Sequence, residues 1–596
     1  MGIPRLRQLL EPYAERNDLG DRRVVIDGPG LAYHIFNQCQ TKAPSGSLFD
    51  QPSYAVLGRA AINWLDHLTG SGAVLEAIYF DGYLPASKEA ERKRRLVDLS
   101  QGLRSYFSLY PSGIPAAASR SKRPAVSAAS RSRKAPVPPF LVPAVLEALR
   151  GSEKYGGVIK LVPGEADSFC ARHVQSAGGG VVITSDTDLL VHDLGPEGSV
   201  TFYNDIEFKV VGGKSGVMIA EYSMWKACGR LSLPQEKGII SLAFEISMDS
   251  HLTVSQAIQK SKDGMRRAIL NQEYSRFIEQ YLTPETADAS GIIYGPFDGL
   301  DPRISELVLE ILSAAPRDVP SWASGAPDQH ELEVPMYLPV LVDSPSRTSA
   351  WEISTPVRAV AYGLLQLRGS RTVHTVAEYR RIQQPTSNGT QVHIVSGTAL
   401  EKACTELNER IAHVQACVAE PELQWIALAT LQDIVVSHDT GKGSVLSLEQ
   451  LQHVANASLC VTNWDFVHLF AQAQGLYYSV RMIQQICDFI VRHEALPESV
   501  KKLRKLLSDF PALAKFPSFA TFAELYPRIR LGVNLKELVA GLDLSAEVTN
   551  RIDSIINPKQ KSRKNKRKRG AKDTSQATAA RPSPQSRNMF DCLGSE

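Results

Sequence analysis

Six acidic residues lie at or just after the ends of short apolar runs, where their carboxylates could bind the same metal ions. They are Asp27 in VVIDG, Asp81 in YFDG, Glu165 and Asp167 in PGEAD, and Asp186 and Asp188 in SDTD. Carboxylate oxygens suit Mg²⁺ or Mn²⁺, and several are needed because magnesium keeps part of its water shell. Two such ions about 4 Å apart activate a water and stabilise the leaving oxygen of a phosphodiester. The six acids therefore predict a two-ion site that hydrolyses a nucleic-acid backbone.

Taken singly, most of these acids have a simpler explanation. An aspartate after a strand, such as Asp27 or Asp81, commonly forms a turn or caps a helix. Glu165 could complement the dipole at the start of a helix. The pair Asp186 and Asp188 is harder to explain, because two acids at the end of a buried strand repel each other unless a cation or another partner lies between them. The joint pattern favours a metal site.

Alternating strands and helices must position these acids. Strands are predicted in RRVVIDG, AVLEAIYFDG, GGVIKLVPG and GGGVVITSD, and helices in stretches such as YAVLGRAAINWLDHL and EADSFCARHVQSA. Such alternation predicts a parallel sheet with helices on both faces. Ligands of these sheets bind outside the carboxyl ends of the strands, which is where the acids fall.

The chain divides into two predicted domains and a tail. Residues 1–255 carry the α/β pattern, and residues 256–556 are predicted to be mainly helical, with a Pro-rich irregular stretch near 315–347. Residues 111–139 are rich in Ala, Ser, Pro and basic side chains, which predicts a disordered basic loop. This loop either overhangs the site and attracts phosphate or is a plain surface insertion.

Charge and composition narrow the class of protein. Nine basic residues lie between Lys559 and Lys572, and without them the chain, at +3, would be net negative. The run predicts a disordered basic tail over 557–596 that directs the protein to the nucleus. The eight cysteines form no C-x-x-C pair, which argues against a zinc cage or a disulfide framework. No segment approaches the ~20 apolar residues that span a bilayer, so we expect a soluble protein with no membrane partner.

The order of the motifs resembles a known superfamily. The opening Met1-Gly2-Ile3-Pro4 and its following helix, then VVIDG, YFDG, GEAD and SDTD, are similar to the corresponding regions of flap-endonuclease and xeroderma-group-G-type nucleases. Within that superfamily the chain most resembles the Asteroid branch, and the likeness extends weakly to TPVRAVAYGLLQL and VAEYRRI. Five motifs in order over about 190 residues make the resemblance specific.

The resemblance implies a PIN-like nuclease fold, two divalent ions, and cleavage of DNA at branched or single-stranded junctions. It assigns the six acids to metal ligation or to metal-bound water. It also matches Lys88 and Arg95, which share one face of a helix, to bases that clamp the phosphate. The alternative for these two residues is a solvated basic helix face, since Arg92, Lys93 and Arg94 crowd the same stretch.

One part of the sequence departs from the superfamily. The last acid of the family normally stands in a Gly-x-Asp-Tyr context before a glycine-rich helix-hairpin-helix that grips duplex DNA. Here LAFEISMDSHLTVSQAI offers Asp249 without that context. We therefore expect the duplex-gripping module to be absent. Asp249 is either a seventh metal ligand or an ordinary exposed loop acid.

Two classes of function follow. The first is a metal-dependent, structure-selective nuclease that acts on DNA flaps or overhangs and binds nucleic acid with single-stranded regions. The second is a catalytically quiet scaffold that keeps the nuclease fold to bind protein or RNA partners. The six acids favour the enzyme, because a scaffold has no physical need to keep repelling carboxylates together. A PIN-type ribonuclease stays open as a variant of the first class, since the sequence does not separate DNA from RNA.

Overall fold

The computed structural model describes most of the chain apart from its loops and tail. The described residues are 3, 5–42, 46–116, 135–211, 214–235, 238–263, 270–281, 297, 299–312, 333–368, 373–441, 445–491, 496–542 and 544–558. The centre of the predicted basic loop (117–134) and nearly all of the predicted basic tail (559–596) lie outside these residues. Within the described part of the chain, no helix is both long and apolar enough to cross a bilayer.

The described strands form three sheets. The strands are β1 (Glu15–Asp18), β2 (Arg23–Asp27), β3 (Val74–Asp81), β4 (Ile159–Val162), β5 (Gly180–Thr184), β6 (Gly198–Phe202), β7 (Ile206–Val211), β8 (Lys214–Glu221), β9 (Glu333–Tyr337), β10 (Thr375–Tyr379) and β11 (Thr390–His393). The sheet orders are β4-β3-β2-β5-β6, β1-β8-β7 and β11-β10-β9.

Helices occupy most of the remaining described chain. They are α1 (Leu6–Leu10), α2 (Gly28–Lys42), α3 (Tyr54–Gly70), α4 (Glu89–Leu109), α5 (Leu141–Arg150), α6 (Ala166–Ser176), α7 (Met224–Leu231), α8 (Gly238–Met248), α9 (Val254–Lys262), α10 (Asn271–Glu279), α11 (Pro302–Leu312), α12 (Thr355–Gln366), α13 (Gly397–Cys417), α14 (Pro421–Asp439), α15 (Leu446–Ala455), α16 (Trp464–Ile490), α17 (Glu498–Leu506), α18 (Phe519–Gly532), α19 (Leu535–Leu538) and α20 (Ala546–Ile556).

The five-stranded sheet is the element that positions the acids. All of its neighbouring strands run parallel, which confirms the predicted parallel sheet. The four strands predicted from sequence are β2 to β5, and β6 extends the sheet by one strand. Chain order reverses around β2, since β3 lies on one side of it and β5 on the other. The carboxyl ends of β2, β3 and β5 therefore frame the crevice where such sheets bind ligands.

Helices cover both faces of this sheet, as the near-continuous apolar strands require. Ile26 and Ile78 point to one face and belong to the larger buried core, together with α2, α3 and α5. Val25 and Ala77 point to the other face and pack with α6 in a separate core. The alternation of neighbouring residues between the two cores follows from the two-residue period of a strand.

The helical region after residue 297 shares the larger core with the sheet. Phe140, just before α5, stacks on Tyr478 in α16 with ring centroids 4.7 Å apart. The indole of Trp464 donates a hydrogen bond of 2.8 Å to the carbonyl of Tyr110 at the end of α4. The region is mainly helical, as predicted, but the sequence analysis missed the small sheet β9 to β11. Its middle strand, β10, contains the Val376–Tyr379 part of the VAEYRRI motif.

Candidate active site

Asp27 is the last residue of β2, at the centre of the crevice, and its carboxylate accepts hydrogen bonds from nearby protein groups. The hydroxyl of Thr184 donates to Asp27 Oδ2 at 2.9 Å, and the N–H of Gly30 donates to Oδ1 at 3.3 Å. The hydroxyl of Tyr203 donates to the Asp27 carbonyl at 2.7 Å. A β-carbon on Gly30 would lie 2.4 Å from Asp27 Oδ2, so glycine is required there for this placement of the carboxylate. Burial raises the pKa of Asp27 to about 6.

Asp81 ends the neighbouring strand β3 and reaches across to the start of α6. The N–H of Ala166, the first residue of that helix, donates to Asp81 Oδ1 at 2.7 Å. Asp81 thus satisfies a helix N-terminus, the simpler role that its position after a strand suggested. Burial nevertheless raises the pKa of Asp81 to about 7, and the negative charges of Asp27 and Glu165 contribute to the increase.

Glu165 and Asp167 flank the first residue of α6. Glu165 makes no capping hydrogen bond with its side chain and pairs with Lys88, whose Nζ lies 3.3 Å from Oε1. Burial raises the pKa of Asp167 well above its usual range. The charges that raise it further are those of Asp27, Asp186, Asp81 and Asp188. The charges of all four aspartates at or just after the strand ends therefore act on Asp167.

Asp186 and Asp188 follow β5 on a short 3-10 turn. The N–H of Asp186 donates to the hydroxyl of Thr184 at 2.9 Å, and Asp186 Oδ1 accepts the N–H of Asp188 at 3.1 Å. Asp188 Oδ1 is buried and has no hydrogen-bond partner. Burial, followed by the charge of Asp186, raises the pKa of Asp188 to about 7. The charge of Lys88 offsets part of this increase, but the unpartnered oxygen beside a second acid still calls for a further donor or cation.

The structure thus brings the six predicted acids into one electrostatically coupled cluster. Each of Asp27, Asp81, Asp167 and Asp188 is affected by at least one other member. Their roles as ligands stay predictions.

Lys88 immediately precedes α4 and Arg95 lies within it, and the charge of each acts on one acid of the cluster, Lys88 on Asp188 and Arg95 on Asp81. Lys88 lies beside Glu165, and the charges of Glu165 and Asp188 hold its pKa above the usual value although burial opposes them. Arg95 forms an ion pair with Glu91 one turn earlier in the helix, and its Nε is buried without a partner. Lys88 therefore faces the acid cluster directly. The phosphate-clamping role of both residues stays a prediction.

The neighbouring bases of α4 do not form the solvated face considered as the alternative. Arg92 pairs with Glu306 of α11, and its guanidinium lies 3.9 Å from the ring centroid of Tyr337. Lys93 Nζ lies 4.5 Å from the ring centroid of Tyr379. These contacts tie α4 to the small sheet of the helical region. Of the crowded stretch, Arg94 is the base whose side chain is most exposed, at 62%.

Asp249 immediately follows α8, and its side chain forms a hydrogen bond with the backbone of a nearby residue. Its Oδ1 accepts the N–H of His251 at 2.9 Å, as in a turn that an aspartate commonly closes. Among the described contacts, none links Asp249 to the acid cluster. Its role as a seventh ligand stays a prediction, and the structure offers no contact that favours it over the loop acid.

Sequence reasoning missed several residues around the cluster. Thr184 links Asp27 to the backbone of Asp186, and it could have been found as the last residue of the strand before SDTD. The charge of Glu91 acts on Asp188, and the charges of Asp188, Asp186 and Glu165 act on Tyr281. No signal in the sequence pointed to Tyr281, which lies some ninety residues after the last of the six acids.

The six side chains are of the right chemical type to bind a divalent ion, but their positions in the structure do not form a ready metal site. All six groups are hard oxygen ligands, and one of their oxygens is buried and unpartnered. Among the described residues, which include all six acids, no three His, Cys, Asp or Glu side chains converge closely enough to hold one metal ion. Asp27, Asp81 and Glu165 each have one oxygen that contacts a protein donor.

Comparison with known proteins supports the superfamily over part of the chain. Residues 137–394 match the family described as XPG domain containing. This segment is less than half of the chain, and it includes Glu165 to Asp188 but begins after Asp27 and Asp81. The match supports the resemblance to xeroderma-group-G-type nucleases, and the Asteroid branch stays a prediction. The search of curated proteins found no match.

Two solved structures show weak likeness. One is human GEN1 in complex with Holliday junction DNA, with 17% identity and a TM-score of 0.28, covering 47% of this chain and 62% of GEN1. The other is the catalytic core of Rad2 in complex with a DNA substrate, with 16% identity and a TM-score of 0.26, covering 49% of this chain and 84% of Rad2. The alignment thus spans less than two thirds of the GEN1 chain.

Proposed function

We propose that this chain is a divalent-metal-dependent nuclease that hydrolyses phosphodiester bonds of DNA at flaps or overhangs. The observation that carries the proposal is the buried, unpartnered Oδ1 of Asp188 beside Asp186. Leaving a buried carboxylate oxygen without a donor is costly, and a second acid next to it adds to the cost. A bound cation would turn that repulsion into ligation.

The groups that would hold two Mg²⁺ or Mn²⁺ ions are the six acids of the cluster: Asp27, Asp81, Glu165, Asp167, Asp186 and Asp188. Bound ions would supply an activated water and neutralise charge on the leaving oxygen. The chain's own contribution is position. Thr184 orients the carboxylate of Asp27, and the first turn of α6 orients that of Asp81. Lys88, 3.3 Å from Glu165, places an ammonium at the mouth of the cluster, where a substrate phosphate would approach.

The choice of DNA as substrate rests on the resemblance of the motifs. Because contacts to the 2′-hydroxyl are what distinguish RNA from DNA, the test below includes an RNA substrate.

The alternative is a catalytically quiet scaffold that uses the fold to bind protein or RNA partners. One observation favours it, namely that no three candidate ligands of the described chain meet at one point. A scaffold predicts that the acids stay with their protein donors at any concentration of divalent ion. The nuclease predicts that ions bind and stabilise the folded state.

The deciding experiment combines cleavage with metal binding. The full-length chain is incubated with labelled flap, overhang, single-stranded, duplex and RNA substrates, with Mg²⁺, with Mn²⁺ or with EDTA. Thermal unfolding is followed under the same conditions, beside the double variant Asp186→Asn/Asp188→Asn. We expect metal-dependent cleavage and metal-dependent stabilisation in the wild type and neither in the variant. A wild type that cleaves nothing and is not stabilised by either ion would replace the nuclease with the scaffold.

We also propose that the protein is nuclear, because the run from Lys559 to Lys572 is dense enough for import receptors to bind. A fluorescent fusion that lacks residues 557–596 should lose nuclear accumulation. An unchanged distribution would show that the run is not the targeting signal.

A further inference from the structure

Tyr281 lies at the acid cluster although it belongs to a distant part of the chain. Its ring contacts that of His192 edge-on, with centroids 5.7 Å apart and an interplanar angle of 82°. His192 lies four residues after Asp188 and two residues after the end of the turn that carries it. The phenol of Tyr281 therefore stands beside the element that presents the orphaned carboxylate.

A series of aromatic contacts holds Tyr281 in this place. It follows α10, and its ring lies 5.1 Å from that of Phe277. Phe277 and Tyr274 of the same helix pack on Phe244 of α8 at 5.6 and 5.1 Å. The hydroxyl of Tyr274 shares a hydrogen bond of 2.7 Å with Ser241. Tyr281 is thus anchored through α10 to the helix layer below the sheet, and it is half-buried rather than free to swing away.

The surroundings of the Tyr281 hydroxyl are strongly acidic. Burial raises its pKa above the usual range, and the charges of Asp188, Asp186 and Glu165 contribute to the increase. The phenol therefore keeps its proton at neutral and mildly alkaline pH. His192 supplies no positive charge to this corner, since burial lowers the pKa of its imidazole to about 4.

Both cations whose charges act on the acids, Lys88 and Arg95, already form ion pairs with glutamates. Among the contacts that the structure describes, the Tyr281 hydroxyl donates to no protein acceptor, and Lys88 is already paired with Glu165. A polyanion that approaches six acids needs donors for its phosphate oxygens, and a neutral phenol offers one without the desolvation cost of a charge.

We propose that Tyr281 is a substrate-contacting residue that donates its phenolic hydrogen to a non-bridging oxygen of a backbone phosphate next to the cleaved bond. This inference rests on the proposed nuclease function and adds a recognition element to the same site. The contact positions the strand and reads no base, because every backbone phosphate offers the same acceptor. Through this contact the segment around α10 would bind the substrate. The sequence predicted that this part of the chain lacks the duplex-gripping module.

The test is a double-mutant cycle that combines removal of the Tyr281 hydroxyl with removal of the charge of one substrate phosphate at a time, and it measures binding affinity. Tyr281→Phe removes only the hydroxyl and keeps the ring that packs on His192 and Phe277. Its affinity is compared with that of the wild type on single-stranded and flap substrates carrying one methylphosphonate at successive positions around the cleavage site, with Ca²⁺ in place of Mg²⁺. Tyr274→Phe is the matched control, because it removes a hydroxyl from the same anchored segment at a position bonded to Ser241.

We expect Tyr281→Phe to weaken binding about tenfold, as for a lost hydrogen bond to a charged acceptor. That loss should vanish at one methylphosphonate position, where the phosphate oxygen is already missing. A purely structural role would give the same loss at every position, and an effect equal to that of Tyr274→Phe would point to the same conclusion; either result overturns the inference. If the wild type cleaves but Tyr281→Phe binds normally everywhere, this inference alone fails. If the wild type neither binds nor cleaves any substrate, the proposed function fails with it.

Discussion

Neutralising Asp188 should stabilise the metal-free protein, although most substitutions at a buried site destabilise one. The change is Asp188→Asn, which keeps the shape of the side chain and removes its charge. In the wild type the carboxylate lies beside Asp186 with one oxygen buried and unpartnered. An amide there would no longer repel its neighbour.

The size of the effect follows from the pKa. Burial, and then the charge of Asp186, raises the pKa of Asp188 to about 7, whereas an aspartate in an unfolded chain titrates near 4. At about 1.4 kcal/mol for each pKa unit, this difference corresponds to about 4 kcal/mol when the group is fully ionised. Because the side chain keeps part of its hydration, we expect roughly half of that, about 2 kcal/mol, at pH 8.

The direction of the pKa shift determines the pH range over which Asp188 affects the stability of the protein. The folded protein holds the proton of Asp188 more tightly than the unfolded chain does, so this contribution to stability is complete below about pH 4 and is lost as pH rises through about 7. The wild type should therefore lose stability between pH 5 and pH 8 in EDTA, and Asp188→Asn should lose less. The variant should be more stable than the wild type by about 0.7 kcal/mol at pH 5 and by about 2 kcal/mol at pH 8, with the difference vanishing below about pH 4.

Urea unfolding in EDTA at both pH values measures the difference. Asp98→Asn is the control, because Asp98 is 60% exposed on α4, where it pairs with Arg94 at 3.9 Å. With Mn²⁺ the order should reverse, since the ion stabilises the wild type and finds one ligand fewer in the variant. Two results would refute the reasoning: a variant that is no more stable than the wild type at pH 8, or a stability difference that is as large at pH 5 as at pH 8. Either would show that the charge of Asp188 does not destabilise the folded protein.

Three further predictions address the surroundings of the cluster and the core. Lys88→Ala should lower single-turnover cleavage by about one to three orders of magnitude, as for a lost electrostatic donor at an active site; Lys93→Ala, whose ammonium covers an aromatic ring instead, should leave the rate within about twofold of the wild type. Gly30→Ala should displace the Asp27 carboxylate, because the new β-carbon would lie 2.4 Å from Oδ2, and calorimetry with Mn²⁺ should then show a smaller metal-dependent stabilisation. In the core, burial opposes ionisation of Glu378, but two buried guanidinium groups hold its pKa at about 2, so its stabilising contribution should be complete above about pH 4.5 and disappear as pH falls through 2; Glu378→Gln should cost about 3 to 5 kcal/mol in urea unfolding at pH 7.

Local chemistry along the chain was sufficient to predict the sheet and the place of the acids. Apolar runs ending in Gly or Asp, separated by amphipathic stretches, specify parallel strands joined by helices, and parallel strands bring their carboxyl ends to one edge. Asp27, Asp81 and the SDTD acids therefore had to lie together once the alternation was recognised. The sheet β9 to β11 was not predicted, because its strands are short and because β9 pairs with β10 some forty residues further along the chain, which no local periodicity indicates.

Only the tertiary structure decided which partner each side chain meets. It turned Asp81 to the N-terminus of α6, left Asp188 Oδ1 without a donor, and sent Lys88 to the acids but Lys93 to the ring of Tyr379. It also brought Tyr281 to the site from far along the chain. The physical reason is that the period of a helix or strand sets which face a residue occupies, whereas its neighbours across that face come from other segments, whose approach is set by how the whole core packs.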